Sequence, residues 1–130
     1  MSLSQSKKEE RYNNLCEDLL KERAAVLSRA GFAVEDALDE LARIDRIIRE
    51  KTNELILLMR NGQNPELPVR REAAIEEINL LIEKFNSTCN IAQLKYYYLI
   101  VTREALGLRI HDMLQEIYRI PAKKKKIQVN

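Results

Sequence analysis

The sequence predicts an all-α protein built as a long antiparallel helical hairpin, and three observations carry that prediction. The chain of 130 residues is 45% hydrophobic and 32% charged, with only three glycines and three prolines. This is the composition of long helices rather than of a sheet protein or a disordered chain. Apolar residues then recur at alternating spacings of four and three along two extended stretches, the mark of a heptad seam. Between the stretches lies one dense run of turn residues, "NGQNPELP".

The first element is read from Ala30, Val34, Ala37, Leu41, Ile44, Ile48, Leu55 and Leu58, a seam that only Lys51 interrupts. Leu15, Leu19 and Val26 fall near the same line upstream, so one helix, or two nearly collinear ones, is expected over about residues 6–60. Gly31, followed by Glu35 and Asp36, offers a place to end one helix and begin another. Against a break there, a glycine inside a helix costs only about 1 kcal/mol relative to alanine.

Asn61-Gly62, Asn64-Pro65 and Pro68 require a turn, which sets the hairpin loop at 61–68. The second seam follows through Ile78, Ile82, Phe85, Cys89, Ala92, Tyr96 and Leu99, then Arg103 as an intruder, then Leu106, Ile110, Met113, Ile117 and Ile120. A helical segment over about 69–120 is expected, closed by Pro121. Ser87 or Thr88 could cap a fresh start within it. Breaks at both Gly31 and Ser87 would give a four-helix up-down bundle. Unbroken helices would give a hairpin roughly 75 Å long at 1.5 Å per residue. The register runs through both positions, which favours long helices. Residues 1–120 then form a single helical domain, and 121–130 a flexible basic tail.

"KYYYLIV" puts three tyrosines in a row, and a helix cannot turn three consecutive side chains to one face. At 100° per residue Tyr96 belongs to the seam with Ala92 and Leu99, while Tyr98 points about 200° away. Ile91, Leu94, Val101, Ala105 and Leu108 lie near the direction of Tyr98, and Tyr97 falls between the two stripes. This second stripe is either core within a bundle or a surface for a second molecule, and a hairpin has no third element to cover it. Arg103 in the seam is expected to snorkel, to pair with a carboxylate of the facing helix, or to set register.

Enzyme chemistry is not expected. His111 is the only histidine, adjacent Asp112 points about 100° off on a helix, and the residue three before the histidine is leucine, so no Glu-x-x-His metal motif exists. There is no Gly-rich phosphate loop and no CxxC. No metal or cofactor is expected. A turn near Pro65 places Cys89 opposite Leu41 and Cys16 opposite Leu114, so the cysteines are expected as free thiols, suited to a reducing compartment.

The net charge of +2 depends on Lys123, Lys124, Lys125 and Lys126; residues 1–122 carry 18 basic and 20 acidic side chains. The body is therefore not a polyanion binder. The lysine run is expected to be a solvated end, with contact to nucleic acid or an anionic surface as the alternative. No apolar run approaches the roughly 18 residues of a membrane span, and the N-terminus has no stretch resembling a signal peptide. A cytoplasmic protein is expected.

Three segments resemble the flagellar export chaperones that guard hook–filament junction proteins. "IREKTNELILLMR" is similar to that family's lysine-then-leucine run closing its first helical half, "FNSTCNIAQL" to its Asn-rich entry into the last helix, and "KKKKIQV" to the basic, apolar-ended tail of some members. The close of the last helix, "EIYRIPA", differs from the tyrosine and glycine of that family. The resemblance implies that the last helix, here Ala92 to Tyr118, grips an amphipathic terminal helix of a secreted client until export.

The lead expectation is a non-enzymatic interaction protein, a chaperone or adaptor that pairs hydrophobic helices, binding through Ile91, Leu94, Tyr97, Tyr98, Val101, Ala105 and Leu108. A homodimer through the same stripe is the expected resting state. A self-associating structural coiled coil is a further alternative.

Overall fold

The computed structural model describes residues 3–62 and 65–128. The chain is a two-helix hairpin: α1 (Leu3–Arg60) and α2 (Leu67–Ala105) pack against each other, and a short α3 (Asp112–Ile117) follows. Neither Gly31 nor Ser87 breaks its helix, so the four-helix alternative falls away. At 1.5 Å per residue α1 is about 87 Å long and α2 about 58 Å, and this mismatch governs what is covered and what is not.

The two seams meet as the 4-3 spacing requires. Val34, Ala37, Leu41, Ile44, Ile48 and Leu55 are buried on α1, and Ile75, Ile78, Ile82, Phe85, Cys89, Ala92 and Leu99 on α2. Each buried Val, Leu, Ile or Phe contributes about 1.5–3 kcal/mol by leaving water, and knobs packed at this spacing hold the register. Lys51 interrupts the seam by reaching out to Glu77 across the hairpin at 3.1 Å. Lys84 approaches Glu40 at 3.9 Å farther along. The loop end is tight. A side chain at Gly62 would meet the Met59 carbonyl oxygen at 2.7 Å and Leu67 Cδ2 at 2.9 Å, which is why a glycine stands there. Asn64 of the expected turn lies outside the described residues, as do Val129 and Asn130 of the tail.

The structure corrects the second helix, which stops at Ala105 rather than running to 120. Gly107 takes a left-handed φ of 87°. The Leu108 N–H donates to the Arg103 carbonyl at 2.9 Å and the Gly107 N–H to the Glu104 carbonyl at 3.0 Å, a Schellman closure that only glycine adopts without strain. Ile110, Met113 and Ile117, expected in the seam, are therefore exposed. Leu15, Leu19 and Val26 on α1 lose the partner they were expected to have and are exposed too. Leu114 does not reach Cys16; it folds back into a cleft with Leu27, Ser28, Gly31 and Tyr118. The cysteines are free, Cys16 on the unpartnered stretch of α1 and Cys89 in the core.

Residues 118–128 return along the groove between the helices toward the loop, although from sequence 118–120 were expected to close the last helix and 121–130 to be a flexible tail. The Tyr118 hydroxyl donates to Glu35 Oε1 at 2.9 Å, the Cys89 thiol lies 3.6 Å from the Pro121 carbonyl, and Ile120 and Ile127 pack on the core. The physical reason is that two asparagines on α2 pair with the tail's main chain, which composition alone does not reveal.

Candidate functional site

Tyr96 is turned toward the hairpin, its hydroxyl buried and without a hydrogen-bond partner among the described residues. Tyr97 and Tyr98 are exposed, their ring centroids 6.1 Å apart and tilted by 51°. Ile91, Leu94, Tyr97, Tyr98, Val101 and Leu108 keep between 40 and 61% of their surface in contact with solvent, and Ala105 is exposed as well. Because the buried residues of α2 face α1, helical geometry puts the Tyr98 stripe on the far side. No element of the described chain lies over it.

The exposed apolar surface is wider than sequence reasoning foresaw. Beyond the end of α2, α1 carries Tyr12, Leu15, Leu19 and Leu20 in the open, with Phe32 nearer the pairing region. The half of the hairpin away from the loop thus presents apolar residues on both long helices and on α3. The signal for the α1 portion was present as an upstream extension of the seam, but its exposure follows only from where α2 ends. Exposed apolar surface gathered in this way marks a binding site or an aggregation hazard.

Arg103 neither snorkels past the seam nor pairs with a carboxylate of the facing helix. Its Nε donates to His111 Nδ1 at 3.2 Å and its Nη2 to the Ile110 carbonyl at 2.9 Å. His111 Nδ1 accepts that bond, so Nε2 carries the ring proton and can donate to Glu104 Oε1 at 3.3 Å. The trio clamps the reversal after Gly107. His111, the only histidine of the chain, is held in this clamp.

The lysine run divides in two. Lys124 Nζ sits 2.7 Å from Asp45 Oδ1 and 4.9 Å from the centre of the Phe85 ring, and Lys126 lies 3.6 Å from Glu83. Lys123 and Lys125 are exposed. The hydrogen bond from Lys124 holds the Asp45 carboxyl below its ordinary range, against the opposing effect of burial. Burial pushes the Cys89 thiol up, opposed by the nearby charges of Lys123 and Lys124, and this keeps it a protonated, unreactive core group. Burial, and then the bond to Glu35, raise the Tyr118 phenol. Among the described residues no group of three or more His, Cys, Asp or Glu side chains could hold a metal ion. No helix among them is long and apolar enough to cross a membrane.

Fold and surface together define a class, that of a small all-α hairpin with an uncovered apolar face on its second helix. Comparison with known proteins adds no relative, since no family model, curated protein or solved structure matches the chain.

Proposed function

We propose that this is a non-enzymatic protein-interaction module, a small cytoplasmic chaperone or adaptor of the export type, which takes an amphipathic helix of a partner along the outer face of α2. The observation that carries the reading is the stripe Ile91, Leu94, Tyr98, Val101 and Ala105, exposed on the side of α2 away from α1. Its spacing of three and four residues suits helix-in-groove recognition, where the partner supplies anchors at i, i+3, i+4 and i+7. Without a partner a second copy of the chain shields the same stripe, and the resting form is then a dimer. The sequence resemblance to flagellar export chaperones supports a secreted client.

For the rival role of the lysine run, attraction to nucleic acid or an anionic surface, Lys124 and Lys126 lie beside carboxylates, and Lys123 and Lys125 form no ion pair among the described residues.

The test uses Tyr98→Glu and Val101→Asp in the full chain. Light scattering over a concentration range reads self-association, and a fluorescent amphipathic model helix with leucines at i, i+3, i+4 and i+7 reads partner binding. Both variants are expected to lose at least tenfold in association while the helical circular-dichroism signal stays. A wild-type monomer indifferent to the model helix would refute the proposal, and so would variants that lose their helicity.

A further inference from the structure

The hold on the tail is unusual in its chemistry. The Asn86 carboxamide donates through Nδ2 to the Lys124 carbonyl at 2.9 Å and accepts through Oδ1 from the Lys124 N–H at 2.8 Å. Asn79 does the same for Ile127, at 2.9 and 2.7 Å. A carboxamide carries donor and acceptor side by side, so it matches the N–H and C=O of one extended residue and is indifferent to that residue's side chain. The spacing agrees as well. Seven residues of α2 separate the asparagines by about 10.5 Å, and three extended residues span about 10 Å. Two asparagines one heptad apart thus read an extended peptide at every third residue.

Selectivity is layered on this backbone reading. The side chain of Lys124 is received by the Asp45 carboxylate and the face of Phe85, and a cation over an aromatic ring adds to the ion pair. Three residues on, Ile127 packs against the core cluster. Lys126, between them, lies near Glu83. A cleft of about 490 Å³ lined by Leu38, Leu41, Asp45 and Phe85 remains open beside the tail. The groove follows residues 79–89 of α2 and is separate from the outer stripe, which begins at Ile91.

We propose that this groove is a binding site for an extended peptide segment of a partner, bearing a lysine and, three residues on, a branched aliphatic residue. The chain's own tail fills it in cis as a tethered competitor. Tethering supplies an effective concentration of about 1 mM, so a free segment binding the open groove at about 10 µM is weakened about 100-fold when the tail is docked.

The experiment keeps the full chain and releases the tail with Lys124→Glu and Ile127→Asp together. The probe is a fluorescein-labelled peptide of residues 119–128, followed by anisotropy. The released chain is expected to bind it about 100-fold more tightly than the wild type, and adding Asn86→Ala is expected to cost at least tenfold. A released chain that keeps its helicity and ignores the peptide would overturn the proposal, as would binding that Asn86→Ala leaves unchanged, which is charge attraction alone. Hydrogen exchange on the wild type tests the same point without variants. The Lys124 and Ile127 amides are expected to exchange while the helix core stays protected, and exchange only together with the core would make the tail an inseparable part of the fold. A wild-type dimer dissolved by the double substitution would assign the groove to a second copy's tail instead, overturning the partner segment.

Discussion

Tyr96 offers a substitution whose sign is opposite to the usual one. Its ring joins the seam, but its hydroxyl is buried with no partner among the described residues. A buried hydroxyl left unpaired costs about 1–3 kcal/mol of desolvation, whereas most point substitutions destabilise by about 1 kcal/mol. Removing one oxygen leaves the ring in place and opens almost no cavity. Tyr96→Phe is therefore expected to stabilise the isolated chain by about 1 kcal/mol, which at this size raises Tm by about 3 °C. Tyr97→Phe and Tyr98→Phe act on exposed rings and are expected to stay within about 0.5 kcal/mol of the parent. Urea unfolding followed by circular dichroism at 222 nm measures all three. The midpoint should move with an unchanged slope, since the area exposed on unfolding is the same. A Tyr96→Phe variant less stable than the parent would show that the hydroxyl is bonded and that the assignment of Tyr96 to a dry seam is wrong.

Two further outcomes follow from the core and the groove. Leu41→Ala, at a position only 2% exposed in the middle of the hairpin, is expected to cost about 2–5 kcal/mol, read as a fall in the urea midpoint; a loss below about 1 kcal/mol would mean that the seam is loosely packed there. Asp45 gives the tail contact a pH dependence. Its folded pKa is depressed by Lys124, so the contribution is present above the unfolded value near 3.9 and is lost as pH falls through the lower folded value. Asp45 and Lys124 are partly exposed, so the contribution is about 0.5 kcal/mol. NMR amide exchange at Lys124 is expected to be unchanged from pH 7 to 5 after correction for intrinsic rates, and faster in Asp45→Asn throughout that range.

The helical pairing was legible because a heptad seam is a local property: Val34 to Leu55 and Ile78 to Leu99 declare their faces by spacing alone, and the same arithmetic put Tyr98 on the side of the helix away from Tyr96, while leaving open whether that side was core or surface. The end of α2 was hidden by that very regularity. Leu106, Ile110, Met113, Ile117 and Ile120 keep the seam spacing, and the one contrary residue, Gly107, sits where a helix interior would tolerate it for about 1 kcal/mol. The tail was misread for a different reason. Four lysines in succession describe a solvated segment, and nothing in residues 121–130 discloses that Asn79 and Asn86 stand ready on α2. The meaning of those asparagines is non-local, since it exists only when an extended chain is beside them.

The left-handed residue at 107 also sets a length. Had α2 continued as a helix to Ile120, that residue would stand about 51 Å along the axis from Asn86, while the four residues from Ile120 to Lys124 reach at most about 14 Å. Lys124 could not have met Asn86, and the peptide groove would have had no occupant from its own chain. By folding α3 back toward Gly31, the reversal shortens that journey enough for Lys124 and Ile127 to dock. A single glycine thus acts as a ruler, deciding whether the protein carries its own competitor or stands open to whatever segment arrives.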